Sequence, residues 1–178
     1  MKRLIIATIV GLVVGGAGGF GAGVFIYPFW FLNDMASETL APDTQRTKLA
    51  GGTFIHANKM DPVHYGEGQV TIFQDPSGGT VVFLHEDFLV RPGPRFHVYL
   101  VDHPEVRTRS NFLDADKVDL GRLRNFRGSQ VYTVPVGIDV AAYKSVVIWC
   151  KEFGVLISPA SLSTALVNIL PDHTTSVT

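Results

Sequence analysis

Residues 144–157, KSVVIWCKEFGVLI, hold the one cysteine of this 178-residue chain, Cys150. A single thiol supports three chemistries: exchange with a partner's disulfide, passage through a sulfenic acid, or ligation of a metal as the thiolate. One cysteine gives neither a CxxC pair nor an intramolecular disulfide. A redox role therefore needs a partner thiol, a second copy of the chain or a bound cofactor. Lys144 and Lys151 could favour the thiolate if they faced it. The competing reading is that Cys150 is a small buried hydrophobe that only packs.

His56, His64, His85, His97 and His103 are numerous for one domain. Histidine with thiolate is a donor set for copper, iron or zinc. No pair carries an HxH or HExxH spacing, so two histidines would have to meet Cys150 through the fold. Met60 or a histidine could be axial to a haem, although no CxxCH is present for covalent attachment. The cofactor is left open, with haem or a transition metal as the options. Glu86, Asp87 and Asp119 lie near strand ends, where carboxylates solvate turns or help hold a cation. Ser145 and Ser161 lack a nucleophile context. No GxxxxGK[ST] loop exists. The net charge is −1, and Arg122, Arg124 and Arg127 form only a short basic cluster, so nucleic acid is not an expected partner.

The elements that must position Cys150 begin outside the domain. Lys2 and Arg3 precede an uncharged run at residues 4–32, longer than the roughly 20 residues that cross a bilayer. The positive start, with Asp34 and Glu38 after the run, predicts a cytoplasmic N-terminus and a domain outside the cytoplasm, periplasmic or extracellular. Tyr27, Phe29, Trp30 and Phe31 would form an interfacial aromatic belt. A cleavable signal peptide is the rival, with Ala17 and Ala22 in sequence that could be cut, but its apolar region is normally shorter. An uncleaved anchor is expected. Gly11, Gly15, Gly19 and Gly23 recur every four residues, so two such helices could pair along that face and bring two Cys150 residues into one assembly.

Residues 33–48 read as linker, 49–163 as the folded domain and 164–178 as a polar tail. In 146–150 apolar residues fill both faces: Val146, Ile148 and Cys150 on one, Val147 and Trp149 on the other, as in a central strand. Residues 95–101 alternate likewise, with Phe96, Val98 and Leu100 opposite His97, Tyr99 and Val101. Strands are also expected at 53–57, 69–73, 80–84, 130–134 and 153–157. Residues 102–117 read as a polar surface excursion anchored by Phe112 and Leu113, and 139–143 as one helical turn. Roughly seven to nine short strands with turn residues between them predict an all-β domain, an antiparallel β-sandwich or barrel-like fold, behind one N-terminal transmembrane helix.

An ordered set of residues from about 49 to 162 resembles the DM13 domain family. It comprises Gly52-x-Phe54, His64-x-x-x-Gly68, Asp87-Phe88, Gly93-Pro94, Tyr99-Leu100, Leu120-Gly121-x-Leu123 and Gly128-x-Gln130-x-Tyr132-x-x-Pro135. Tyr143-x-Ser145-Val146-Val147-Ile148-Trp149-Cys150, Phe153 and Ala160-x-Leu162 complete it. The resemblance implies an extracytoplasmic β-rich module, found alone behind a membrane anchor in bacteria and in multidomain surface proteins in animals. It also implies redox or electron-transfer work through a characteristic cysteine, which falls on Cys150. His64 belongs to the resembling set and is with Cys150 the candidate metal ligand. The function expected is thus a redox or electron-transfer module working through Cys150 with an envelope redox partner or a metal. The alternative is a non-catalytic binding or structural module in which Cys150 is only a core residue.

Overall fold

The structure, a computed structural model, describes residues 1–31, 36–40 and 46–164. The first element is helix α1, Lys2–Phe31. Its segment Ile5–Gly23 is long and apolar enough to cross a membrane, and none of that segment is buried against protein. A Cβ at Gly11, Gly15, Gly19 or Gly23 would meet nothing within 4 Å. The side chains of the expected aromatic belt, Tyr27, Phe29, Trp30 and Phe31, lie outside the described residues. So do 32–35 and 41–45 of the expected junction and linker, and 165–178 of the expected tail.

Among the described residues twelve strands follow: β1 Ala36–Ser37, β2 Thr47–Thr53, β3 Gly66–Glu67, β4 Gln69–Gln74, β5 Thr80–Leu84, β6 Leu89–Val90, β7 Phe96–Val101, β8 Lys117–Arg122, β9 Gly128–Thr133, β10 Ser145–Cys150, β11 Val155–Ser161 and β12 Ser163–Thr164. Helix α2, Arg109–Asp114, lies between β7 and β8, and a 3-10 turn, Val140–Ala142, precedes β10. One sheet runs β1-β9-β5-β4-β2-β12, a second β11-β10-β7-β8, and β3 pairs with β6. β1 and β9 are parallel; the other strand pairs are antiparallel.

The expectation of an all-β, sandwich or barrel-like domain is corrected here. The described chain is a mixed α/β fold, with two α-helices beside several sheets, none of which closes into a barrel. The overlooked helix has a local cause. Thr108 caps α2 by accepting from the Asn111 N–H at 3.2 Å, and the Asn111 side chain returns a bond to the Thr108 N–H. That reciprocal cap satisfies donors a six-residue helix cannot satisfy itself. Phe112 then anchors α2 at 2% exposure, whereas Leu113, expected as a second anchor, is 43% exposed.

The main core draws on both larger sheets: Val70, Ile72, Val82 and Leu84 from the first, and Val98, Leu100, Val146, Ile148 and Cys150 from the second. A second apolar cluster occupies the other face of β7 and β10, where Tyr99, Val101, Val147 and Trp149 pack with Val106 and Phe112. The alternation expected for β7 and β10 is therefore the alternation found. The turn expected near Lys151 and Glu152 joins β10 to β11. β11 runs further than expected, through Pro159. It is the edge of its sheet, where a missing N–H costs no ladder bond.

Part of the segment read as linker is built into the fold. Ala36 and Ser37 pair with Gly128 and Ser129. The Glu38 carboxylate accepts from Arg124 at 2.6 and 2.7 Å and from the Val131 N–H at 2.9 Å.

Candidate functional site

Cys150 ends β10, paired with Phe96 on β7 and Val155 on β11. β-Branched and aromatic residues on both faces make β10 an interior strand, and all six of its residues are buried. Cys150 is a free thiol, 1% exposed. Its S–H donates to the Pro94 carbonyl at 3.2 Å. The turn that covers it is tightly built. Arg95 sits at φ +48°, its carbonyl accepts the Lys151 N–H at 3.1 Å, and its guanidinium pairs with Glu152 at 3.0 Å. A Cβ on Gly93 would come within 2.4 Å of the Phe96 ring. Neither neighbouring lysine faces the sulfur: Lys144 Nζ donates to the Ala141 carbonyl and Lys151 Nζ to Asp119.

The histidines are committed elsewhere. His64 Nδ1 donates to Asp61 Oδ2 at 2.5 Å, and His56 Nε2 donates to the Asp61 carbonyl at 2.7 Å. The hydrogen bond with His64, aided by the Val63 N–H, holds the Asp61 carboxyl down to about 2. His85 Nε2 and the Thr71 hydroxyl share a bond at 2.9 Å, and His103 Nδ1 accepts the Glu105 N–H at 3.1 Å. Burial lowers the pKa of His85. Among the described residues no group of three or more His, Cys, Asp or Glu is set to hold a metal ion. His64 and Cys150 are thus bound to different partners, and Met60 is 92% exposed. The donor set does not fit a haem or transition metal held by Cys150 and His64.

The structure assembles a different constellation on the outer face of the second sheet. Asp119 of β8 accepts from His97 Nδ1 at 2.9 Å and the Gly121 N–H at 2.9 Å, both on Oδ1. Its Oδ2 accepts from Lys151 Nζ at 3.0 Å and the Tyr99 hydroxyl at 3.1 Å. Partial burial works to raise the Asp119 carboxyl, but the hydrogen bonds from His97, Gly121, Lys151 and Tyr99 outweigh it and hold the group at about 2. Burial first, then the Asp119 charge and hydrogen bond, push the Tyr99 phenol far up. Tyr99 meets Phe112 edge to face at 5.1 Å, and Phe112 stacks on Trp149 at 4.0 Å and 16°. Lys117 Nζ lies 5.3 Å from the Phe112 ring centre.

The sequence offers Asp119 as a residue that solvates a turn or helps hold a cation, and this set is missed. The available signal was His97 and Tyr99 on one face of a strand whose other face is wholly apolar. An open cleft of about 620 Å³ between residues including Phe54, His56, Lys59, Tyr65 and Arg107 shares no lining residue with Cys150 or the Asp119 network.

No curated protein and no solved structure matches the chain. A family model described as "Electron transfer DM13" matches residues 59–162, which is more than half of the sequence and contains Cys150, Tyr99, Asp119 and Trp149. A chain with the single buried cysteine and the strand order described above, matched over that span, belongs to the DM13 electron-transfer family.

Proposed function

We propose that this chain is an electron-transfer module held at a membrane by α1, with its DM13 domain on the side away from the cytoplasm. Cys150 serves in it as a shielded redox group whose counterpart is a bound cofactor or an envelope partner. The orientation is supported by Lys2 and Arg3 before the apolar helix and by the acidic residues after it. The enclosure of the sulfur carries the rest: Cys150 is 1% exposed, with its S–H on the Pro94 carbonyl. Thiol–disulfide exchange needs a second sulfur in line with Sγ. Oxidation of the sulfur must also release its S–H proton, and the Pro94 carbonyl is no base for it, so the step needs the Pro94 turn to open or a bound cofactor to carry the electron. The partner is accordingly an envelope protein that exchanges electrons, not one that forms a mixed disulfide.

One observation favours a second reading. Cys150 belongs to the main apolar cluster, together with Ile148 and Ile157, as a residue that only packs would. The two readings separate in one set of measurements on the full chain in detergent. A small thiol reagent is expected to leave Cys150 unmodified in the folded chain and to label it fully in denaturant. Cys150→Ala is expected to slow electron exchange with a soluble one-electron acceptor, besides lowering stability by about 1–2 kcal/mol through the lost sulfur contacts. Unchanged exchange with only the stability loss supports the packing reading. Rapid labelling of the folded chain would overturn the shielded sulfur.

A further inference from the structure

We infer that Tyr99 is a proton-coupled electron-transfer site on the outer face of the β7–β10 sheet, passing its electron to a one-electron oxidant docked there and its phenolic proton to Asp119. This rests on the electron-transfer reading and names a route for it. Three observations carry the inference.

The first is the acid–base geometry. Tyr99 is 8% exposed, and its hydroxyl lies 3.1 Å from Asp119 Oδ2. With the electron in place the phenol keeps its proton, since burial and the adjacent carboxylate both oppose ionisation. A phenol that has lost an electron is a far stronger acid than any carboxylic acid, so the balance then reverses. The O–H bond of Tyr99 breaks and an O–H bond forms on Asp119 Oδ2. The oxidant gains one electron, and Tyr99 becomes a neutral phenoxyl radical. Oδ1 still accepts from His97 and the Gly121 N–H, so the carboxyl stays in place while it holds the proton. When a one-electron donor reduces Tyr99, the proton returns along the same line.

The second observation is the aromatic path. Phe112 bridges Tyr99, at 5.1 Å, and Trp149, at 4.0 Å. Trp149 is the other readily oxidised ring of this cluster, and it is 5% exposed. The third is its place in the chain. Trp149 is joined by one peptide bond to Cys150, whose side chain points to the opposite side of β10. The sulfur inside and the phenol outside are thus connected across a single strand.

The charged and titratable groups around the pair are His97 on β7, Asp119 on β8 and Lys151 after β10, with Lys117 on the far side of Phe112. The positive and donor groups hold Asp119 ionised, ready to receive a proton. The same contacts would serve a purely structural network, so the test reads a radical and not stability.

The full chain in detergent micelles is oxidised with photogenerated tris(bipyridine)ruthenium(III), and tyrosyl and tryptophanyl radicals are followed by transient absorbance and electron paramagnetic resonance. In the wild type a tyrosyl signal is expected that forms more slowly in D2O. Tyr99→Phe, which keeps the ring and its packing, should remove most of that signal and leave the tryptophanyl signal. Asp119→Asn should slow tyrosyl formation by about a hundredfold, the low end of what a positioned base contributes. A tyrosyl signal that Tyr99→Phe leaves intact, or formation in the wild type with no D2O effect, overturns the assignment of Tyr99. If the wild type loses no electron to the oxidant at all, the electron-transfer reading falls with it.

Discussion

At the residue scale, Asp119 gathers four donors from three segments: His97 and Tyr99 of β7, Gly121 of its own strand and Lys151 after β10. A carboxylate so held binds a proton less readily folded than unfolded, and the difference is a stability term. The sign follows from the depressed folded value. The contribution is fully present above the ordinary carboxylate range near 4 and is lost as pH falls toward the folded value of about 2. Asp61, held at about 2 chiefly by His64, acts in the same window. The Asp119 side chain is about a third exposed, so screening reduces the contribution to on the order of 1 kcal/mol. Unfolding followed at a series of pH values should show Asp119→Asn less stable than the wild type at pH 6. The gap should narrow steadily between pH 4 and pH 2. A gap that is constant over that interval would show that the network does not hold the carboxylate ionised.

At the element scale, Gly68 fixes the step between β3 and β4. It adopts φ +101°, and a Cβ there would lie 2.4 Å from the Phe88 Cα. Both the left-handed backbone and the contact with main chain forbid a side chain. Phe88 is fully buried against Phe54, with ring centres 5.2 Å apart, so the neighbour has no room to retreat. Gly68→Ala is expected to cost about 3 kcal/mol or more, or to prevent folding, as overpacking plus strain does; a loss under 1 kcal/mol on denaturant unfolding would contradict the packing described. Elements differ in how much of them the sequence discloses. The two faces of β7 and β10 are legible because alternation is local and each residue reports its own side. The extent of β11 is not, because Pro159 ends a central strand but not an edge, and edge position depends on pairing. Helix α2 escapes because its cap lies in Thr108 and Asn111 and only Phe112 is deeply buried. β1 escapes because two residues carry no pattern, and Gly128 and Ser129 hold them from far along the chain. The Asp119 site is illegible for the same reason: its side-chain partners lie 20 to 32 residues away. Cys150, found readily as the one cysteine, has its enclosure set by a turn 56 residues earlier, at Pro94.

At the scale of the whole molecule, the helix and the domain call for different solvents. The described part of α1 is exposed on all sides and apolar throughout Ile5–Gly23, so no face of it suits water. The domain buries its apolar residues in two clusters of its own, and none of Ile5–Gly23 is buried against it. A bilayer would satisfy both, with hydrocarbon around the helix and water around the DM13 domain. The orientation proposed above, with Lys2 and Arg3 on the cytoplasmic side, follows the positive-inside rule. Intact cells expressing the full chain and treated with an amine reagent that cannot cross membranes should be labelled on domain lysines such as Lys48, Lys59, Lys117 and Lys151. Lys2 should react only after permeabilisation, and the chain should remain with the membrane after alkaline extraction. Domain lysines protected in intact cells would reverse the orientation, and with it the placement of the Tyr99 face toward partners outside the cytoplasm. Release of the domain from the membrane, with Lys2 lost, would show a cleaved leader and overturn the proposed anchoring.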